Sequence, residues 1–344
     1  MSTTDLLVSL DEIRAAADTV GPHVHRTPLL SSATAGRFIE SATGVPLGDG
    51  RLFLKAEHLQ KTGSFKARGM VNRIAALDPG QRARGAITLS AGNAGQAYAW
   101  AGRQAGVPVT VVMPATANPT KVAACRGYGA EVVLEGEHVG EAILALERVR
   151  DERGLTYVHP FNDSAVIAGH GTAGLELLDD LPEVDVVVVG IGGGGLISGV
   201  ATALKERRPA IRVYGVEPRN AAAMTVAFEA GTPVTIEPRT VADGLAAPFA
   251  GDLTLAICQR YLDGIVLLDD AEILSGVRFA LERTKQALEP AGAAALAALL
   301  HGRIPLRSGE RVAVVASGGN LDIGRIGELV AGAAPLPGGG AAAT

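Results

Sequence analysis

Short runs of Val and Ile alternate along this chain with longer segments rich in Ala. Residues 86–90, 107–113 and 131–134 have the length and branched side chains of strands, and residues 94–105 and 119–128 between them read as helices. The rhythm returns with a strand at 185–190, a helix at 196–207 and a strand at 212–217, and further strands are expected at 51–56 and 311–316. Strands that are apolar on both faces and separated by helices predict an α/β fold with open, mostly parallel, twisted sheets and helices on both faces. The apolar run 291–300 falls well short of the ~20 residues a bilayer requires and suits a buried helix. No repeat of fixed period interrupts the pattern.

Composition narrows the function classes. The chain has 344 residues, 47% hydrophobic and 19% charged, enough to build a large core in one or two domains. A net charge of -5 without a basic stripe argues against nucleic acid and anionic membranes as partners. The first apolar stretch, residues 6–10, is too short for a secretory leader and follows Asp5 rather than basic residues. Cys125 and Cys258 cannot make a disulfide framework, so a reducing, cytoplasmic setting is expected, with both thiols buried as small hydrophobes. The seven histidines show no metal-ligand spacing, and no metal site is assigned. Residues 331–344, mostly Ala, Gly and Pro, are expected to be a disordered tail.

Ligands of open α/β sheets gather where strands end and helices begin. Four such junctions carry unusual chemistry: residues 61–69, 90–96, 190–195 and 317–320. In the first, Thr62-Gly63-Ser64 has turn and N-cap character, which puts Lys66 in the first turn of a helix. The positive end of the helix dipole disfavours an ammonium there and favours the neutral amine, the form that condenses with an aldehyde. A solvated surface lysine is the alternative. In the second, the small residues of Ser90-Ala91-Gly92-Asn93-Ala94 expose backbone N–H groups to a carboxylate, or Asn93 simply caps its helix. In the third, Gly190-Ile191-Gly192-Gly193-Gly194-Gly195 satisfies the dinucleotide fingerprint, with Glu217 as a late acidic partner; the same four consecutive glycines also suit a single phosphate monoester. The fourth, Ser317-Gly318-Gly319-Asn320, ends a strand and reads equally as a plain turn.

Thr62-Gly63-Ser64-Phe65-Lys66-Ala67-Arg68-Gly69 resembles the cofactor-lysine motif of the fold-type II (tryptophan synthase β-like) pyridoxal-phosphate family, and its Lys-Ala-Arg-Gly ending is closest to the threonine/serine dehydratase and serine racemase branch. Matching segments run from about Ile13 to Asp322. The resemblance implies pyridoxal 5'-phosphate held on Lys66 as a Schiff base, with Lys66 also catalytic. It implies Phe65 packed near the ring, Asn93 on the cofactor's 3-oxygen, Gly192, Gly193, Gly194 and Gly195 around the phosphate, and Ser317 at the pyridine nitrogen. The loop Ser90, Ala91, Gly92, Asn93 and Ala94 would bind the substrate carboxylate. The expected reaction is dehydration of a β-hydroxy amino acid such as L-threonine or L-serine followed by hydrolytic release of ammonia, giving a 2-oxo acid. A β-elimination or β-replacement on a non-standard amino acid is the alternative within the family, and a nicotinamide-dependent dehydrogenase the alternative outside it.

Three departures from the family pattern matter. Serine racemases carry a proton-transferring serine where Ala91 stands, so racemisation is disfavoured. Ala94 replaces a common histidine, which predicts a roomier substrate pocket. Ala223 replaces the aspartate of a divalent-cation site whose glutamate would be Glu217, so that cation is not expected. Asp243-Gly244-Leu245 and Glu289-Pro290 match family segments beside the site, or are a turn and a helix start. The resemblance further implies a large domain from residues 1–84 and 160–330, a small mobile domain from residues 85–159, and a homodimer. The sequence ends soon after Ser317, so the appended regulatory domain of feedback-inhibited dehydratases is not expected.

Overall fold

The computed structural model describes residues 7–337. In chain order the strands are β1 (Leu29–Ser32), β2 (Leu52–Lys55), β3 (Ala86–Leu89), β4 (Val109–Met113), β5 (Glu131–Leu134), β6 (Thr156–Tyr157), β7 (Val186–Gly190), β8 (Arg212–Pro218), β9 (Gly264–Leu268) and β10 (Val312–Val315). They form a six-stranded sheet in the order β1-β2-β10-β7-β8-β9 and a four-stranded sheet in the order β5-β4-β3-β6. All pairs are parallel except β1 with β2 at one edge.

The unbroken valine run of β7 follows from burial on both faces. Val186 and Val188 enter one apolar cluster while Val187 and Val189 enter another, as the two-residue period of a strand requires. β10 repeats the arrangement, with Val312 and Val314 on one side and Ala313 and Val315 on the other. Each fully buried valine contributes ~1.5–3 kcal/mol of hydrophobic stabilisation. The helix Pro290–Leu300 covers one face and is buried all round, which is why its sequence has no polar stripe. The four-stranded sheet has separate clusters on its two faces, one containing Val111 and Tyr98, the other Ile87 and Val112.

In the elements themselves the structure departs from the sequence expectations as follows. β4 begins at Val109 rather than at residue 107, because the Val107 amide closes the preceding helix on the Gly102 carbonyl (2.9 Å) and Pro108 has no N–H to give. The short strands β1, β6 and β9 are additional to those the sequence pattern predicts. The segment from residue 331 is not structureless at its start: Ala333 and Leu336 pack on the main core, and the Ala334 amide donates to the Ala271 carbonyl (2.8 Å). Residues 338–344 of that segment lie outside the described residues. The carboxyl ends of β3, β7 and β10 converge on one cavity, with residues 90, 190 and 317 all in its wall.

Candidate active site

After β2 the chain makes two short turns and enters the helix Lys66–Ala75. Thr62 (φ 60°) and Gly63 (φ 73°) both adopt the left-handed conformation, a tight turn that the glycine makes easy. The expected side-chain cap is absent. Phe65 occupies the N-cap position without a capping hydrogen bond, and Ser64 instead bridges Gly318 in antiparallel fashion. The Phe65 amide donates to the Ser317 carbonyl (3.0 Å), so the turn is stitched to the loop after β10. One turn further on, the buried Arg68 guanidinium is held by Glu57 (2.8 Å) and Glu176 (2.7 Å), fixing the start of the helix. Removing one partner of such a buried set typically costs ~3–5 kcal/mol.

The Lys66 amine donates to the Pro160 carbonyl (2.8 Å) and lies 5.1 Å from the centre of the Phe65 ring. Burial pulls its pKa down to about 8, which favours the neutral amine. The Phe65 ring is itself held edge-on by His170 at 4.7 Å, whose Nδ1 accepts the Gly69 amide (3.1 Å).

Asn93 does not cap the helix Asn93–Ala105, whose N-cap is Gly92. Its side chain reaches across the cavity instead. Asn93 Nδ2 donates to Glu289 Oε1 (2.7 Å), and Asn93 Oδ1 accepts from Asn320 Nδ2 (2.9 Å). Glu289 is 6% exposed, and burial together with the nearby Asp243 carboxylate pushes its pKa up to about 7. Asp243 is paired with Lys121 from the helix Pro119–Gly127. In the Ser90 loop, Ser90 Oγ accepts the Gly92 amide (3.2 Å). The Ser317 hydroxyl makes only a long contact to the Ala291 carbonyl (3.4 Å), leaving it available to another partner.

The glycine loop joins β7 to the helix Gly195–Arg207. Space or backbone conformation excludes a side chain at Gly193, Gly194 and Gly195 and crowds one at Gly192. A Cβ on Gly192 would stand 3.1 Å from the Gly244 carbonyl, and one on Gly195 2.9 Å from the Phe161 carbonyl. One on Gly193 would strike the Phe161 ring, and Gly194 combines a φ of +93° with Met224 and Thr254 at its back. Thr254 Oγ1 braces the loop by donating to the Gly193 carbonyl (2.8 Å). Among the described residues the amides of Gly192, Gly193 and Gly194 donate to no protein acceptor. With the helix N-terminus behind them, they form an anion cradle.

Glu217 is not part of this cavity. Its two oxygens accept the Met224 amide (2.8 Å) and the Thr225 amide (2.9 Å) and hydroxyl (2.6 Å), anchoring the start of the helix Ala223–Ala230. The carboxylate is thereby engaged as a helix anchor, away from the glycine loop whose ribose acid it would be in a dinucleotide site. No set of three or more His, Cys, Asp or Glu side chains among the described residues is arranged to hold a metal.

A cavity of about 470 Å³ gathers the residues expected from sequence to hold cofactor and substrate: Phe65, Lys66, Ser90, Ala91, Gly92, Asn93, Ala94, Gly192, Gly193, Gly194, Gly195 and Ser317. Asp243, Gly244, Leu245 and Glu289 join them. Sequence reasoning missed Asn118, Lys121, Pro160 and Phe161, which also line it. Pro160 acts through a backbone carbonyl, which leaves no trace in a sequence. No helix among the described residues is long and apolar enough to cross a membrane.

The family described as "Pyridoxal-phosphate dependent enzyme" matches residues 20–318. An L-threonine ammonia-lyase of Thermotoga maritima is 42% identical over 325 residues, covering 94% of this chain and 78% of that protein. Among solved structures, maize serine racemase superposes with a TM-score of 0.87 at 37% identity, covering 93% of this chain and 96% of that one. A threonine deaminase of T.th. has a TM-score of 0.82 at 41% identity, covering 92% of this chain and 99% of that one.

Proposed function

The chain belongs to the pyridoxal-phosphate dependent enzyme family, and on that premise we propose that it converts a β-hydroxy amino acid such as L-threonine or L-serine to a 2-oxo acid and ammonia. The observation that carries this reading is the meeting, in one cavity, of a buried lysine amine with a pKa of about 8 and a four-glycine anion cradle. The cofactor fits the residues present. Its phosphate suits the free amides of Gly192, Gly193 and Gly194, whose missing side chains let the loop pack closely on Phe161, Gly244, Met224 and Thr254. Its aldehyde suits Lys66, its ring the side of Phe65, and its ring nitrogen the weakly engaged Ser317 hydroxyl.

When bound, pyridoxal phosphate supplies a ring that accepts the electrons left at the substrate Cα. The backbone of Ser90, Ala91, Gly92, Asn93 and Ala94 binds the substrate carboxylate at a helix N-terminus. Asn93, its side-chain amide held by Glu289 and Asn320, keeps one N–H that would be available to the cofactor's 3-oxygen. The Lys66 amine, once free, takes the proton from Cα; a buried amine of lowered pKa is matched to that task near neutral pH. Ser317, a hydroxyl rather than a carboxylate, would not hold the ring nitrogen protonated, an electronic setting that favours β-elimination, with the β-hydroxyl leaving as water once protonated. Ala91 offers no proton on its side of the site, so a two-base racemisation lacks its second base.

Residues 85–159, which carry the four-stranded sheet, form the small domain in this reading, and residues 1–84 with 160–330 the large one. Ion pairing of Lys121 with Asp243 and the Asn93–Glu289 bond join the two and support closure over substrate. A homodimer and a cytoplasmic location complete the proposal, the latter supported by the two buried free thiols Cys125 and Cys258. The test is an assay of ammonia and 2-oxo acid release from L-threonine and L-serine. A cofactor-loaded protein inert towards both, but incorporating sulfide into an activated amino acid, would replace this reading with a β-replacement enzyme.

A further inference from the structure

The segment after β6 turns sharply between the two sheets, and the turn is closed by a side chain outside the cavity wall. His159 Nδ1 accepts both the Phe161 amide (3.2 Å) and the Asn162 amide (2.9 Å). The residues this turn presents are the ones the site uses: the Pro160 carbonyl receives the Lys66 amine (2.8 Å), and the Phe161 ring lies against Gly193. The imidazole is clamped in place. Its ring stands edge-on to Phe161 at 4.5 Å, and the His159 carbonyl accepts the Tyr98 hydroxyl (2.9 Å). Accepting two amides on Nδ1 requires the neutral ring with its proton on Nε2.

We propose that His159 is a positioning residue that sets, through one two-amide turn, both the seat of the Lys66 amine and the back wall of the glycine loop. This rests on the reading of Lys66 as the cofactor lysine. Without the acceptor, two amides lose their partner and the Pro160 carbonyl and Phe161 ring are released together. A role in ring packing alone would make the opposite demand, since it would need the aromatic ring and not the nitrogen.

Two substitutions separate these demands. His159→Asn keeps an acceptor that bonds its own backbone two residues on but removes the ring, whereas His159→Phe keeps a ring and removes the acceptor. The measurements are the dissociation constant for pyridoxal phosphate and the absorbance maximum of the holoenzyme. The proposal expects the Asn variant within about threefold of wild type with an unshifted band, and the Phe variant weakened by about tenfold or more with a shifted band. The reverse order, equal losses, or no loss in either overturns it. Should the Phe variant fail to fold, the Asn variant decides alone: retained affinity and spectrum support the proposal, and their loss refutes it. Wild-type protein that forms no adduct at Lys66 defeats the functional reading first, so the two failures are separable.

Discussion

Asn93 and Glu289, 196 positions apart in sequence, share a 2.7 Å hydrogen bond across the cavity, from the amide nitrogen of one to the carboxyl oxygen of the other. The bond links the first residue of the helix Asn93–Ala105 to the N-cap of the helix Pro290–Leu300, and hence one sheet's layer to the other's. Glu289 is nearly inaccessible to water, and its pKa is pushed from 4.5 to about 7, by burial first and by Asp243 second.

That shift has a sign. Between the ordinary carboxyl range and about 7, the unfolded chain releases this proton while the fold retains it. The stability associated with the neutral form is therefore fully present below about pH 4.5 and is lost as pH rises through about 7. Glu289→Gln, which mimics the neutral form and can still accept from Asn93, is expected to raise Tm of the cofactor-free protein by a few degrees at about pH 8 and to change it little at about pH 5. Thermal melts at the two pH values check this; an equal effect at both would contradict it.

Lys66 gives a kinetic prediction of opposite character. An amine with a pKa of about 8 is increasingly neutral as pH rises towards that value and no more reactive far above it. Loading of the cofactor-free protein with pyridoxal phosphate, followed by absorbance, should accelerate about tenfold per pH unit and level off above about 8. A rate that keeps climbing to about pH 10, the ordinary lysine range, would show that burial does not tune this amine.

The glycine cradle should tolerate no side chain. Gly193→Ala meets the Phe161 ring, and Gly194→Ala adds strain at φ +93° to contact with Met224 and Thr254. Each is expected to weaken cofactor affinity by ~1–3 kcal/mol, or roughly tenfold to a hundredfold. Gly127→Ala, with nothing within 4 Å of the new methyl, serves as the control and should bind as wild type. Titration of the three apoproteins compares them directly.

Ala94 lines the cavity at 5% exposure, so a larger side chain there enters substrate space. Ala94→His should lower kcat/KM for β-hydroxy amino acids bulkier than threonine more than for threonine itself, by about tenfold in the ratio. An unchanged ratio across the substrate series would remove Ala94 from the account of specificity.

The site is largely legible in the sequence because its chemistry is written in consecutive residues. A lysine after Thr-Gly-Ser-Phe and four glycines after a valine strand carry backbone and side-chain demands within a few positions. What escapes depends on the fold. The Pro160 carbonyl has no side-chain signature, and the buried state of Glu289 follows only from the packing of Pro290–Leu300 against β7. Glu217, a plausible ribose acid or cation ligand by position, lies outside the cavity and anchors the helix Ala223–Ala230, accepting the Thr225 hydroxyl and the amides seven and eight residues on. Thr62-Gly63-Ser64 forms the turn its residues suggest but not the cap, because Ser64 pairs with Gly318 from the far end of the chain. Parallel-strand burial makes the central strands plain, while β1 and β6, short and at sheet edges, lack that signal.

The most direct test is chemical. The holoenzyme is reduced with borohydride, digested, and its peptides are weighed by mass spectrometry. The account expects a pyridoxyl-phosphate mass on the peptide containing Lys66 and on no other lysine. An unmodified Lys66 peptide, or an adduct placed on a different lysine, would contradict it.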